Sequence, residues 1–260
     1  KAGVRVVECM RIIHQLERLD LKMPREALEE AMEKQELIVP ELLVILEYLS
    51  ENITEIPDYY LGHFYAIYLL AQFREKRAYP LIVKMISGRS YDVLDQAFGD
   101  FLTEALGRVL ASVCDGDLTL IKKLIEDENS NEYARCAGFD ALLVLLAQDI
   151  ITRQQLASYF QLLFTKLERK RSLVWGDLVM SCCNIHPAEF YDQIVQVYEE
   201  DLVDTLYIQL DDVLEDASKS QAEQMRVLKQ NRRYTFIGNT IQEISWWACF
   251  QNTEVKELEL

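Results

Sequence analysis

The sequence predicts an all-α protein, a right-handed α-α superhelix of about five stacked helical hairpins with a C-terminal cap. Two observations carry this. Strand patterns are almost absent, and one apolar spacing, i, i+3, i+4 and i+7 or a close variant, recurs five times. The sets are Leu42/Ile45/Leu46/Leu49, Tyr79/Ile82/Val83/Ile86, Leu118/Ile121/Ile125, Leu156/Tyr159/Phe160/Leu163 and Tyr191/Ile194/Val195/Tyr198. Their first residues lie 37, 39, 38 and 35 positions apart, the period of solenoids built from stacked helix pairs. In such arrays each helix buries one face against its neighbours and a long surface is left for partners.

The helix starts are marked chemically. Pro24, Pro40, Pro80 and Pro187 are expected at or near first helical turns, where a missing N–H costs nothing. Asp117 and Asn131 are suited to cap the helices that follow them, and Asp115-Gly116-Asp117 reads as a tight turn. Thr152 and Gln155 have the spacing of a capping box, each side chain serving the other's free backbone donor. Residues 59–73 and 139–147 show little polar face, which suits helices sandwiched between neighbours. The second helix of each pair keeps a polar face, and these faces together form the candidate binding groove. Residues 199–216 are acidic and 219–233 mainly basic, the pattern of a helical hairpin with opposite charges on its arms. Residues 241–250, with Trp246-Trp247, are too apolar to stay free and are expected to dock as the cap. One domain over residues 1–250 with a frayed polar tail over 251–260 is the expected organisation.

Composition narrows the partners. The 260 residues, half of them hydrophobic, are enough to bury a sizeable core. A net charge of −16, from 43 acidic and 27 basic side chains, opposes binding to a phosphate backbone. The basic clusters (Arg74/Lys76/Arg77, Lys166/Arg169/Lys170/Arg171 and Arg232/Arg233) are interrupted or flanked by acids and read as solvated helix ends. Nucleic acid is therefore not an expected partner. The six cysteines form no CxxC pair, and buried helical Cys behaves as a small hydrophobe, so a reducing cytoplasm is expected. The longest uncharged run, residues 59–73, is 15 residues, short of the roughly 20 a membrane span needs. No signal peptide is visible, although the chain opens at Lys1 without a Met.

Residues 74–82, Arg74-Glu75-Lys76-Arg77-Ala78-Tyr79-Pro80-Leu81-Ile82, resemble the charged turn and second-helix start of HEAT-like repeats. Wider stretches are similar to the bacterial domain-of-unknown-function 1186 family. They are residues 71–85, Ala111-Ser112-Val113-Cys114-Asp115-Gly116-Asp117, Asn131-Glu132-Tyr133-Ala134-Arg135 and Trp246-Trp247-Ala248-Cys249-Phe250. The resemblance covers roughly residues 37–250 and implies a HEAT-like helical fold and a bacterial setting, with no established activity. Some members end in a cysteine-rich zinc-binding tail. This chain has no Cys or His after Cys249, so no zinc role carries over.

Each chemical constellation has a plainer reading beside the functional one. Cys182 and His186 share a helix face, but a structural zinc needs four ligands and two more are not visible. Asp211, Asp212, Glu215 and Asp216 make two i,i+4 carboxylate pairs, which read as a solvated face or a contact for a basic partner. Asp115-Gly116-Asp117 lacks the acids of a calcium loop. Glu104 and Arg108 have the order of a stabilising i,i+4 ion pair; a catalytic acid beside a positioning Arg is the functional alternative. His63, in an apolar helix, reads as a core histidine. The expected function is a non-enzymatic scaffold binding another protein or peptide in the bacterial cytoplasm, with no cofactor, metal, nucleic acid or membrane. Its expected contact residues are Lys84, Lys122, Lys123, Gln154, Gln161 and Gln196. The alternative is an enzyme-like or cofactor-handling protein, akin to the HEAT-like bilin lyases, using the tyrosines of residues 59–68 and a cysteine such as Cys114. Homo-oligomerisation through the last repeat is a third reading. A deep apolar pocket holding perturbed acids favours an enzyme, and a shallow open groove favours a scaffold.

Overall fold

The periodicity is realised as helices throughout. The computed structural model describes residues 2–19 and 22–251. Among them are seventeen α-helices and three short 3-10 turns, with no strand. In order these are α1 (Ala2–Leu16), α2 (Arg25–Glu33), α3 (Gln35–Glu51), α4 (Gly62–Gln72), α5 (Ala78–Ile86) and α6 (Tyr91–Phe98). There follow α7 (Phe101–Glu104), α8 (Leu106–Val113), α9 (Thr119–Glu126), α10 (Glu132–Ala147), α11 (Arg153–Lys166) and α12 (Leu173–Asn184). The series ends with α13 (Tyr191–Glu199), α14 (Leu210–Ser218), α15 (Gln221–Gln230), α16 (Thr240–Ile244) and α17 (Ala248–Gln251). The chain forms two compact units: one takes it up to Met85 and again from Ile237, the other runs Ile86–Phe236. Of the polar tail over 251–260, all but Gln251 lies outside the described residues.

In the first unit α4 is the centre. His63, Tyr65 and the run from Ala66 to Ala71 are buried, and α3, whose own buried side includes Leu42, Leu46 and Leu49, packs against it. The C-terminal segment docks, as its apolarity requires, but on α4 of this first unit and not as a cap on the last hairpin, because Phe64 and Tyr68 of α4 offer rings to Trp247. The Trp247 ring meets Phe64 edge-on at 5.2 Å and Tyr68 at 5.9 Å, while Trp246 faces solvent. The Gln72 side-chain oxygen accepts from both the N–H and the hydroxyl of Thr240, each at 2.8 Å, and Arg74 donates to the Ile237 carbonyl.

The second unit stacks three hairpins, α8/α9, α10/α11 and α12/α13. Their first helices form an inner row, α8–α10–α12, and their second helices an outer row, α9–α11–α13. The cap chemistry is as expected. Asn131 accepts from the Tyr133 N–H, Asp117 accepts from the Thr119 N–H, and Thr152 with Gln155 makes the full capping box. Asp115 and Gly116 both take positive φ in the turn before α9. Aromatic rings join the rows: Phe139 to Phe160 at 6.0 Å, and Phe164 to Trp175 at 6.3 Å and to Phe190 at 6.4 Å. Each buried ring stabilises the stack by about 1.5–3 kcal/mol in removed apolar surface.

Two sequence expectations need correction. Pro40 is not in a first turn but is the sixth residue of α3, because α2 runs into α3 through Lys34 alone. Its ring leaves the Glu36 carbonyl without an intrahelical donor, yet the helix continues. Glu104 and Arg108 make no ion pair. Ala105, at φ −133°, breaks the helix between α7 and α8 and destroys the i,i+4 register on which that pair depends.

Close packing of the inner row requires a glycine. A Cβ on Gly107 would lie 2.5 Å from the Asp140 Cβ and 2.9 Å from the Ala137 carbonyl oxygen, so backbone would have to move. Gly107→Ala is expected to cost about 1–3 kcal/mol, read as a shifted urea midpoint. Gly238→Ala, where a Cβ meets nothing within 4 Å, is the control and should leave the midpoint in place. Equal midpoints for both variants would contradict the packing described.

Candidate binding face and a covered acidic centre

The outer row presents an exposed polar face. On α9, Ile121, Leu124 and Ile125 are buried, leaving Lys123 exposed and Lys122 half-buried. On α11 the buried side is Leu156, Ala157, Tyr159, Phe160, Leu163 and Phe164, so Gln154, Ser158, Gln161 and Thr165 face outward, with Leu162 half exposed among them. On α13, Gln196 is exposed. Contacts between neighbouring helices hold this face in shape. The Lys122 ammonium sits 4.6 Å from the Tyr159 ring centroid, and the Tyr159 hydroxyl donates to Glu126 at 3.0 Å. Lys166 pairs with the same Glu126. Gln193 donates to the Gln161 carbonyl at 3.5 Å, and Gln196 to Glu200 at 2.8 Å. Five of the six residues read from sequence, Lys122, Lys123, Gln154, Gln161 and Gln196, thus belong to one row. Lys84 belongs to α5 in the first unit, where it pairs with Glu51 of α3.

The opposite face of the inner row is covered by the chain after α13. Residues 201–236 cross it as a strap, with α14 against α12 and α15 against α10 and α12. Side-chain-to-backbone hydrogen bonds run in both directions between the strap and the hairpins. Arg108 donates through Nε to the Thr235 carbonyl at 2.9 Å, and through Nη2 to the Thr235 hydroxyl and the Phe236 carbonyl. Gln148 donates to the Tyr234 carbonyl, and Gln224 to the Cys183 carbonyl. His186, at φ 80°, places its Nε2 3.0 Å from the Lys219 carbonyl oxygen. The acidic-basic hairpin expected over 199–233 exists as α14 and α15. Apart from the Lys219 contacts to Glu215 and Asp216 at the turn, its charges pair outward: Lys229 with Asp149, Arg233 with Asp140, and Asp201 and Asp204 with Arg171.

Beneath the strap lies an acidic centre that sequence reasoning missed. Asp177 of α12 is 9% exposed and accepts from the Tyr207 hydroxyl at 2.9 Å. Gly176 makes room for that tyrosine, since a Cβ there would come within 2.7 Å of its ring. Asp140 of α10 is held by Arg233 at 2.8 Å. Burial, and then the neighbouring Asp140, push the Asp177 carboxyl up to about 7, against the pull of Tyr207 and Arg233. Asp140 is raised by burial and eased by Arg233, and the Cys136 thiol is pushed well up by burial and then by Asp177. Nothing in the spacing of Cys136, Asp140 and Asp177 along the chain marks them. The available signal was a single acid within each of two otherwise uncharged stretches, Asp140 in residues 136–147 and Asp177 in residues 173–184.

The chain matches the family model described as "Protein of unknown function (DUF1186)" over residues 7–251. It belongs to that family. It is 43% identical over 194 residues to an uncharacterised protein of Chlamydia trachomatis serovar D, covering 74% of this chain and 76% of the relative. A protein of Chlamydia muridarum, likewise uncharacterised, is 42% identical over 194 residues, covering 74% and 77% of the two chains. No solved structure matches the chain. The stacked hairpins, the strap and the acidic centre of this chain all lie within the residues that the DUF1186 model matches. No helix among the described residues is long and apolar enough to cross a membrane.

The acidic centre ties stability to pH. Folded Asp177 keeps its proton up to about pH 7, whereas in the unfolded chain it ionises near pH ~4. Folding therefore takes up a proton between these limits. The stability contributed is complete below the unfolded value and is lost as pH rises through the folded one. Asp177→Asn keeps an acceptor for Tyr207 but cannot ionise. Its stability relative to the parent chain should rise by at most about 4 kcal/mol across that window, measured by urea unfolding at a series of pH values. A difference that does not vary with pH would sink the assignment.

Proposed function

We propose that this DUF1186 protein is a non-enzymatic scaffold that binds another protein or a peptide on the outer row of its second unit, in the bacterial cytoplasm. One observation carries the reading: the polar faces of α9, α11 and α13 are exposed and cross-linked to one another, while the strap covers the opposite side of the hairpins. Exposed surface on a stacked repeat is the usual place for such proteins to meet a partner. The strongly shifted acid supports the same reading. Asp177 lies under Tyr207 at 9% exposure, which suits a structural carboxyl better than one that meets a substrate. Lys122, Lys123, Gln154, Gln161 and Gln196 are the proposed contacts in the second unit. Lys84 is proposed as a separate contact in the first.

The test is capture of partners from the native bacterium, followed by cross-linking and mass spectrometry. The control is a variant carrying Lys122→Glu and Lys123→Glu. Lys122→Glu also removes the contact to the Tyr159 ring, so the fold is checked by circular dichroism and Lys123→Glu, at an exposed position, is tested alone beside it. A partner that cross-links to α9, α11 or α13 and is lost in the variant bears the proposal out. Partners indifferent to both substitutions, or cross-links confined to other surfaces, overturn it.

A further inference from the structure

At the ends of α9 and α11 lies a cleft of about 160 Å³ around a buried cation that makes no ion pair among the described residues. Arg135, in the first turn of α10, is 6% exposed, and its Nε donates to the Ile125 carbonyl near the end of α9 at 2.8 Å. That bond uses one of the five guanidinium donors. Among the described residues no carboxylate lies within ion-pair distance of Arg135, and its Nη atoms donate to no protein acceptor. Burial outweighs Glu132, Glu128 and Asp127, which favour its charge without touching it. A guanidinium taken this far out of water with no contacting anion is costly unless its remaining donors have a use.

The walls supply further donors. Lys170 is exposed at the cleft and pairs with no acid among the described residues. Ser172 is the N-cap of α12, a helix of 12 residues, and its side chain makes no capping bond. The guanidinium, an ammonium, a hydroxyl and the positive end of α12 therefore border one small space, a setting for an anionic group. The remaining charges are of the other sign. Glu128, Glu132 and Glu168 line the same cleft, and none is in an ion pair among the described residues. A phosphate would face those three carboxylates with its own negative charge. A ligand carrying one carboxylate and one cation answers both halves of the site. The volume is well below the roughly 300–1,000 Å³ of pockets that enclose a whole drug-sized ligand, so it suits a single terminal residue.

We propose that this cleft binds the α-carboxylate of a basic amino-acid residue at the C-terminus of a peptide. The carboxylate lies on Arg135 and the start of α12, and the cationic side chain lies against the three glutamates. The choice of a peptide rests on the scaffold function proposed above. Free lysine or arginine carries the same pair of charges.

Calorimetric titration of the whole chain with three probes separates the cases: acetyl-glycyl-glycyl-lysine with a free carboxylate, the same peptide as its carboxamide, and free lysine. The free acid should bind, and the carboxamide should bind at least about tenfold more weakly, because a charge-assisted contact is lost. Lys170→Ala, at an exposed position, should weaken the acid and leave the carboxamide as it was. Arg135→Ala is a poorer test, since it also removes the bond to Ile125. Equal binding of acid and carboxamide, or no binding of either at millimolar concentration, overturns the cleft. Tighter binding of free lysine than of the peptide upholds the cleft and overturns the peptide as its source. A partner lost on charge reversal of Lys122 and Lys123, with no response to these probes, leaves the scaffold reading standing and removes this one.

Discussion

The second unit is organised by the need to cover α10 on every side. Of its 16 residues, 12 are buried, and they fall all around the helix rather than on a stripe. α8 reaches it at Gly107, α9 at Gly138, α11 at Phe139, and α12 lies alongside. One side would still be open if the chain ended after α13. The strap closes it, and beyond α15 side-chain donors are aimed at its backbone, because the carbonyls of Tyr234, Thr235 and Phe236 lie outside its α-helices and must still be satisfied. Arg108 and Gln148 meet that need from α8 and from just beyond α10.

Closing that side buries charge as well as hydrocarbon. Asp140 and Asp177 project from adjacent inner helices into the seam under the strap, and the strap brings Arg233 and Tyr207 to meet them. One cation for two carboxyls is an incomplete match. The mismatch appears as a proton held by Asp177 to near neutral pH. The cover is thus favoured by apolar burial and opposed by ionisation of its own floor. The polar groups left for the outside world sit elsewhere, on the outer row and at the hairpin ends where Arg135 lies.

Local features were legible in the sequence. The five apolar sets fall on α3, α5, α9, α11 and α13. Asn131, Asp117 and the Thr152/Gln155 box act within a few residues of themselves, so their spacing was enough to read them. What failed or was missed depends on distance along the chain. The Glu104–Arg108 spacing makes a pair only on one continuous helix, and the chain breaks at Ala105. The strap was visible as a change of charge, but its destination was not, since Arg233 and Asp140 are 93 residues apart. Arg135 lies in the family-like segment Asn131-Glu132-Tyr133-Ala134-Arg135. That no carboxylate contacts it shows only when α12 and the loop before it are placed beside it.

Native-state hydrogen exchange followed by mass spectrometry tests the central claim, that α10 is sealed by the strap, most directly. The account requires amides of α10 to exchange only through global unfolding, and the strap around residues 231–236 to be protected in the parent chain. In a variant with Arg108→Ala and Arg233→Ala, exchange of the strap should quicken, followed by that of α10, while the start of α11 with its capping box changes little. A strap that exchanges like an unstructured peptide in the parent chain, with α10 still fully protected, would show that the cover does not hold the unit together.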